Sequence, residues 1–332
     1  MTMQVVPGVS RVELEDKGNP AADIDQALAP QIDPRDTVVI SGFWRSGTTW
    51  LEEALTEILQ AKTIFEPFHF MVPAAKKLFK YYGIAKKPES FQELFIPFCG
   101  DRTLELQPLL HQYYDRALRA DLPGNAVRVL RKDAQECYRT RVVVKFTRGQ
   151  LSLRAAHNTF GMPIIHVHRD PRAVIASAKM TDWYWLFDHL SLREQLLEIK
   201  DGRADFFRPW IEAIHEYDND KVARLTAYWA LTERFLQDAF VDGRGRITFV
   251  SYEELNRGKE ELMLALLMQL GVQKVWRDEV QLTNRDSYST SQQRQGASTA
   301  ERIAGWKKTL TAAEIKTIES VVTRLGLANR LS

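Results

Sequence analysis

Four short apolar runs punctuate a chain that is otherwise patterned for helices. Thr37–Ser41, Val142–Phe146, Ile164–His168 and Ile247–Ser251 are rich in β-branched residues and bounded by polar or turn residues, so each predicts a buried strand. Between them, apolar positions recur at helical spacing through Leu104–Leu118, Arg203–Tyr217, Lys221–Phe240, Lys259–Leu270 and Ala312–Leu325. Strands separated by helices predict an α/β fold, with a parallel sheet flanked by helices on both faces. Residues 1–35 are weakly periodic and contain Pro and Asp, which predicts a loose N-terminal arm before a single domain over 36–332. About eighty residues lie between the first helical pattern and Val142, more than one crossover needs. A helical insertion over 62–140 is therefore expected within the domain. Leaving from the carboxyl end of a strand, it would form the acceptor side of a site.

The first strand runs into Gly42-Phe43-Trp44-Arg45-Ser46-Gly47-Thr48-Thr49-Trp50. A helical face of Leu51, Ala54, Leu55, Ile58 and Leu59 follows. A strand, a loop bounded by glycines and a helix N-terminus make an anion cradle, because backbone N–H groups and the helix dipole converge there. The two glycines have P-loop spacing, but Thr48 stands where the loop lysine would be, and the cation is Arg45. A second strand–turn–helix corner is Ile164-Ile165-His166-Val167-His168-Arg169-Asp170-Pro171-Arg172-Ala173-Val174-Ile175-Ala176-Ser177. Asp170 suits an N-cap and Pro171 the first helical turn. Arg169 at the strand end and Ser177 about two turns into the helix could reach one phosphate group. The ordinary alternative is an ion-paired arginine and a plain helix serine.

Together, R-S-G-T-T-W and H-R-D-P-R-A-V-x-x-S resemble the PAPS-dependent sulfotransferase family. Val250-Ser251-Tyr252-Glu253-Glu254-Leu255 and Arg302-Ile303-Ala304-Gly305-Trp306 are similar to two further motifs of that family, in the same order. The resemblance implies a P-loop-type sheet, PAPS as sulfuryl donor, PAP as product and no metal. It assigns Arg45, Ser46, Gly47, Thr48 and Thr49 to the 5′-phosphosulfate, with Arg45 stabilising charge on the bridging oxygen. It assigns Arg169 and Ser177 to the 3′-phosphate, and Trp50, Tyr252 and Arg302 to the rest of the nucleotide. A core role is nearly as good a reading of Trp50.

An acceptor hydroxyl needs a base to take its proton. In the cytosolic branch of the family the base is the histidine of K-T-H; here Lys145-Phe146-Thr147 keeps the lysine and has Thr147 at the histidine position. Phe65-Glu66-Pro67-Phe68-His69 resembles a segment of carbohydrate 6-O-sulfotransferases, and R-D-P-R-A-V also looks closer to that branch. Glu66 is thus the first choice of base and His69 the second, with Lys145 sharing the charge of the transferring sulfate. Each has an ordinary alternative as an ion pair, a half-buried histidine or a surface lysine. Phe68, His69, Trp183 and Trp185 are candidate acceptor contacts, although consecutive aromatics are more commonly core. The resemblance implies a hydroxyl acceptor on a carbohydrate or a glycosylated or lipid metabolite. Two other classes stay open at this point: a P-loop kinase of a small molecule and a non-catalytic nucleotide-binding module.

Composition narrows the field modestly. Of 332 residues, 45% are hydrophobic and 27% charged, as in ordinary globular proteins. A net charge of +2 gives no general attraction to nucleic acid or membranes. The charge is uneven, with ten Lys/Arg against three Asp/Glu from Arg128 to Arg172, which suits an anionic ligand. Two cysteines make no disulfide framework or zinc spacing. With no secretory signal pattern and no apolar stretch of spanning length, the expectation is a cytoplasmic protein without a membrane span.

Overall fold

The structure, a computed structural model, describes residues 31–100, 103–122, 139–243, 245–272 and 296–331. Most of the expected N-terminal arm and residues 123–138 of the expected insertion lie outside the described residues.

Five parallel strands form one sheet: β1 (Thr37–Ser41), β2 (Lys62–Phe65), β3 (Val142–Phe146), β4 (Ile164–His168) and β5 (Ile247–Ser251), in the order β2-β3-β1-β4-β5. The four strands expected from sequence appear with the same bounds. β2 is a correction to the helical reading of 62–140. Its four residues Lys-Thr-Ile-Phe alternate without a continuous apolar run, because it is an edge strand that pairs only with β3. The central strands are mostly apolar because both faces of the sheet are covered, with Lys145 and His166 among the buried exceptions.

Strand periodicity divides the core. Val38, Ile40, Val143, Ile165, Val167 and Val250 face α1 (Thr48–Ile58) and the helix Lys259–Gln269. Val39, Val142, Val144, Phe146 and Ile164 face the opposite side, where the helices Ala75–Tyr81 and Pro108–Leu118 pack. A third cluster gathers α2 (Pro171–Lys179), α3 (Lys221–Ala239) and α4 (Ala312–Arg324) around Trp229 and Phe235.

Two helical expectations are corrected by proline. The span Arg203–Tyr217 is broken into Arg203–Phe207, a 3-10 turn Arg208–Trp210 and Ile211–Tyr217, since Pro209 cannot donate within a continuous helix. The helix expected from Leu104 begins instead at Pro108, where a missing N–H costs nothing. No helix among the described residues is long and apolar enough to cross a membrane. The parallel arrangement brings the ends of all five strands, and so Gly42, Glu66, Thr147, Arg169 and Tyr252, to one edge of the sheet.

Candidate active site

The loop after β1 is shaped by close approach. A Cβ on Gly42 would lie 2.6 Å from the Val167 carbonyl oxygen, so only glycine lets β1 leave the sheet there. Gly47, the N-cap of α1, has φ 89° and its Cα faces the Tyr252 ring. Arg45 holds φ 67°, an uncommon left-handed conformation for a residue with a side chain. The Ser46 N–H donates to the Phe43 carbonyl at 3.1 Å, closing the turn. The Ser46 hydroxyl is buried without a hydrogen-bond partner. A lone buried hydroxyl at the N-terminus of an eleven-residue helix fits an anionic group.

The corner after β4 is fixed by Asp170, whose carboxylate accepts from the Arg172 N–H at 2.8 Å and caps α2. Arg169 is nearly buried. Its two terminal nitrogens donate to the carbonyls of Arg45 (2.9 Å) and Arg302 (3.0 Å), and its guanidinium lies 4.2 Å from the Tyr252 ring centre. Its Nε has no hydrogen-bond partner. Arg45 Nε in turn donates to Ser177 Oγ at 3.0 Å. Four separate motifs thus converge: the loop, the second corner, Tyr252 after β5 and the backbone of Arg302.

Beside this cradle runs a chain of charges. Lys145, 1% exposed, donates to Thr49 Oγ1 (2.9 Å), pairs with Glu66 Oε1 (3.1 Å) and sits 3.5 Å from the Phe65 ring centre. The other oxygen of Glu66 accepts from Arg148, and Arg148 also donates to Glu93. Glu93 faces His69 Nε2 at 3.2 Å, while His69 Nδ1 accepts from the Met71 N–H at 3.2 Å. Burial alone would raise the Glu66 carboxyl; Lys145 and Arg148 outweigh it and hold Glu66 far below the usual carboxylate range. Behind Lys145, Glu52 of α1 is fully buried, and burial pushes its carboxyl up to about 7.

A family model described as the sulfotransferase family matches residues 37–278. The chain belongs to the sulfotransferase family.

Among curated protein sequences, none matches this sulfotransferase. Among solved structures it is similar to the sulfotransferase domain from the Synechococcus PCC 7002 olefin synthase, at 15% identity and a TM-score of 0.43, over 88% of this chain and 96% of that one. It is also similar to mouse sulfotransferase SULT7A1 complexed with PAP, at 14% identity and a TM-score of 0.41, over 88% and 85% of the two chains. A retinol dehydratase in complex with retinol and PAP matches at 13% identity and a TM-score of 0.40, over 90% and 82%.

The aromatic residues of the sulfotransferase expected as nucleotide and acceptor contacts pack against other side chains. Phe68, two residues past the positive-φ Glu66 (φ 45°), is buried against Tyr113, Tyr114 and Phe146. Trp50 belongs to the core cluster beneath α1. Trp183 packs on Phe187, and Trp185 is exposed beside His189, so their ring contacts stay within their own segment. Sequence reasoning missed Arg148, Glu93, Glu52 and Thr63. Arg148 lay inside the basic stretch already noticed; the two carboxylates and Thr63 carried no local signal, since Glu52 and Thr63 meet Lys145, and Glu93 meets Arg148, only across segments distant in sequence.

Proposed function

We propose that this sulfotransferase moves a sulfuryl group from PAPS to a hydroxyl of a carbohydrate or of a glycosylated or lipid metabolite. The observation that carries the reading is Lys145, a buried ammonium held between Thr49 of the anion loop and Glu66 of the acceptor side. One cation touching both halves is what a group transfer between them needs. The acceptor class rests on the Phe65-Glu66-Pro67-Phe68-His69 resemblance alone.

PAPS, when bound, supplies the sulfuryl group and departs as PAP. The loop N–H groups, Ser46, Thr48 and Thr49 would hold its 5′-phosphosulfate, and Arg169 with Ser177 its 3′-phosphate. Arg45 and Lys145 would face the bridging oxygen, where negative charge grows as the sulfur–oxygen bond breaks. Glu66 would take the acceptor's proton as the new bond to sulfur forms. In the unliganded protein Glu66 is a weak base, because two cations hold it ionised. Lys145 turning to the donor removes one of them, so the basicity of Glu66 rises when it is needed. His69 is less suited, since one ring nitrogen already accepts from Met71 and the other faces Glu93.

The test is transfer of radiolabelled sulfate from PAPS to a panel of hydroxyl acceptors, read by mass spectrometry. Labelled sugar or lipid hydroxyls are expected. Phosphoryl transfer from ATP and Mg²⁺ with no transfer from PAPS would overturn the reading.

A further inference from the structure

Glu52 is a buried carboxylate to which the reaction as derived assigns no task. It lies on α1, one turn beyond the loop, and is 1% exposed. Its Oε1 accepts from the Thr63 hydroxyl of β2 at 2.6 Å. Its Oε2 has no hydrogen-bond partner and stands 3.7 Å from Lys145 Nζ. Lys145 therefore has a carboxylate on either side, Glu66 toward the acceptor and Glu52 toward the interior. Along the chain of charges, Glu66 and Glu93 are balanced by Lys145 and Arg148. Glu52 is the third carboxylate, in excess of the cations it can reach.

We propose that Glu52 is a positioning residue for Lys145: ionised, it draws the ammonium back toward the interior, and protonated, it leaves the ammonium to the donor. This rests on the PAPS reading above. Its physical basis is competition for one buried cation. An ionised Glu52 and the anionic sulfuryl end of the donor both attract Lys145, and the ammonium cannot serve both at full strength. Proton uptake by Glu52 removes the competitor. Burial, offset by Lys145 of β3 and the Thr63 hydrogen bond and reinforced by Glu66 and by Glu53 of its own helix, puts this exchange near neutral pH.

The sign follows by linkage. A bound donor takes Lys145 and adds negative charge nearby, so Glu52 holds its proton more tightly in the complex. Donor affinity is then full below the pKa of the free protein and falls as pH rises through it. A one-unit rise in the Glu52 pKa on binding corresponds to roughly a tenfold loss of affinity across that window.

The experiment is calorimetric titration of PAPS into the whole protein and into Glu52→Gln, from about pH 6 to about pH 9, a window that brackets the free-protein transition. Titration of the ligand's own 3′-phosphate is common to both proteins and cancels in their ratio. Wild-type affinity is expected to fall roughly tenfold relative to Glu52→Gln across the range. Thr63→Val, which removes the hydrogen bond favouring ionised Glu52, is expected to move the wild-type midpoint to higher pH. Parallel profiles for wild type and Glu52→Gln would overturn the proposal. Should Glu52→Gln fail to fold, an unmoved midpoint in Thr63→Val would do the same. Absence of PAPS binding to the wild type at every pH would overturn the donor reading itself, and this inference with it.

Discussion

Arg45 Nε donates to Ser177 Oγ at 3.0 Å, tying the loop after β1 to the helix after β4. The serine acts here as an acceptor, so its own proton remains to be given. Under the proposed function, that hydroxyl would donate to a phosphate oxygen. Neither motif alone implied this contact, which makes the two corners a single unit.

Replacing either side chain of the second corner should therefore affect the 3′-phosphate selectively. Arg169→Ala and Ser177→Ala are each expected to weaken binding of PAP by about 1.5–3 kcal/mol, the usual worth of a hydrogen bond to a charged group. The loss should be far smaller for the analogue without the 3′-phosphate. Calorimetry with both ligands checks this; equal losses would place the 3′-phosphate elsewhere.

Gly47 carries two separate constraints. Alanine there must hold φ 89°, and its Cβ would lie 2.3 Å from the Tyr252 ring. The left-handed backbone costs about 1–2 kcal/mol, and the overlap about 1–3 more. Gly83→Ala isolates the first cost, since Gly83 has φ 70° with nothing within 4 Å of the added carbon. Denaturant unfolding should show Gly47→Ala clearly less stable than Gly83→Ala, with partial recovery when Tyr252 is also changed to Ala. Equal losses for the two glycine variants would mean that the ring yields.

Glu66→Gln keeps the shape of the side chain and removes its ability to take a proton. Turnover is expected to fall by roughly 10²–10⁴, the usual contribution of a positioned base. PAP affinity should be retained or improved, because Lys145 loses a competing partner. Near-normal turnover would move the base to another group.

Acid should loosen the sheet around the interior strand β4. Buried His166 contacts both oxygens of Glu233 at 3.0 Å, and burial, with Arg330 nearby, pulls the neighbouring His168 down to about 4. Between that value and the unfolded histidine value of about 6.5, the unfolded chain binds more protons, so stability rises with pH there. For Glu233, burial is outweighed by His166, and its carboxyl is depressed, so its contribution is also lost on acidification. Unfolding midpoints should drop as pH falls from about 6.5 toward 4, by up to roughly 3 kcal/mol from His168. His168→Phe should flatten this slope; an unchanged slope would assign it to other groups.

The sheet was largely legible in the sequence, because buried parallel strands must be apolar on both faces. Val142-Val143-Val144 and Ile164-Ile165 could belong to little else. β2 was not legible, since an edge strand of four residues needs only Thr63 and Ile64 buried. The two strand–turn–helix corners were legible because glycine spacing and a capping Asp-Pro are local requirements of the backbone. The charge chain was not, because Glu52, Glu66, Glu93 and Arg148 come from four separate segments that meet only in the folded chain. The positive φ at Glu66 was not legible either, since a motif does not display a dihedral angle.

Arg169 grips main-chain oxygens at both of its ends, those of Arg45 and Arg302. Such a grip is indifferent to which side chains stand at positions 45 and 302, because every amino acid offers the same carbonyl. It is sensitive instead to chain length, since adding or removing one residue in either segment would carry the oxygen out of reach. This part of the site therefore constrains spacing more than composition. An engineer could change side chains around Arg169 for this contact wherever the new residue tolerates the left-handed backbone at position 45, but could not change the loop lengths that deliver those two oxygens.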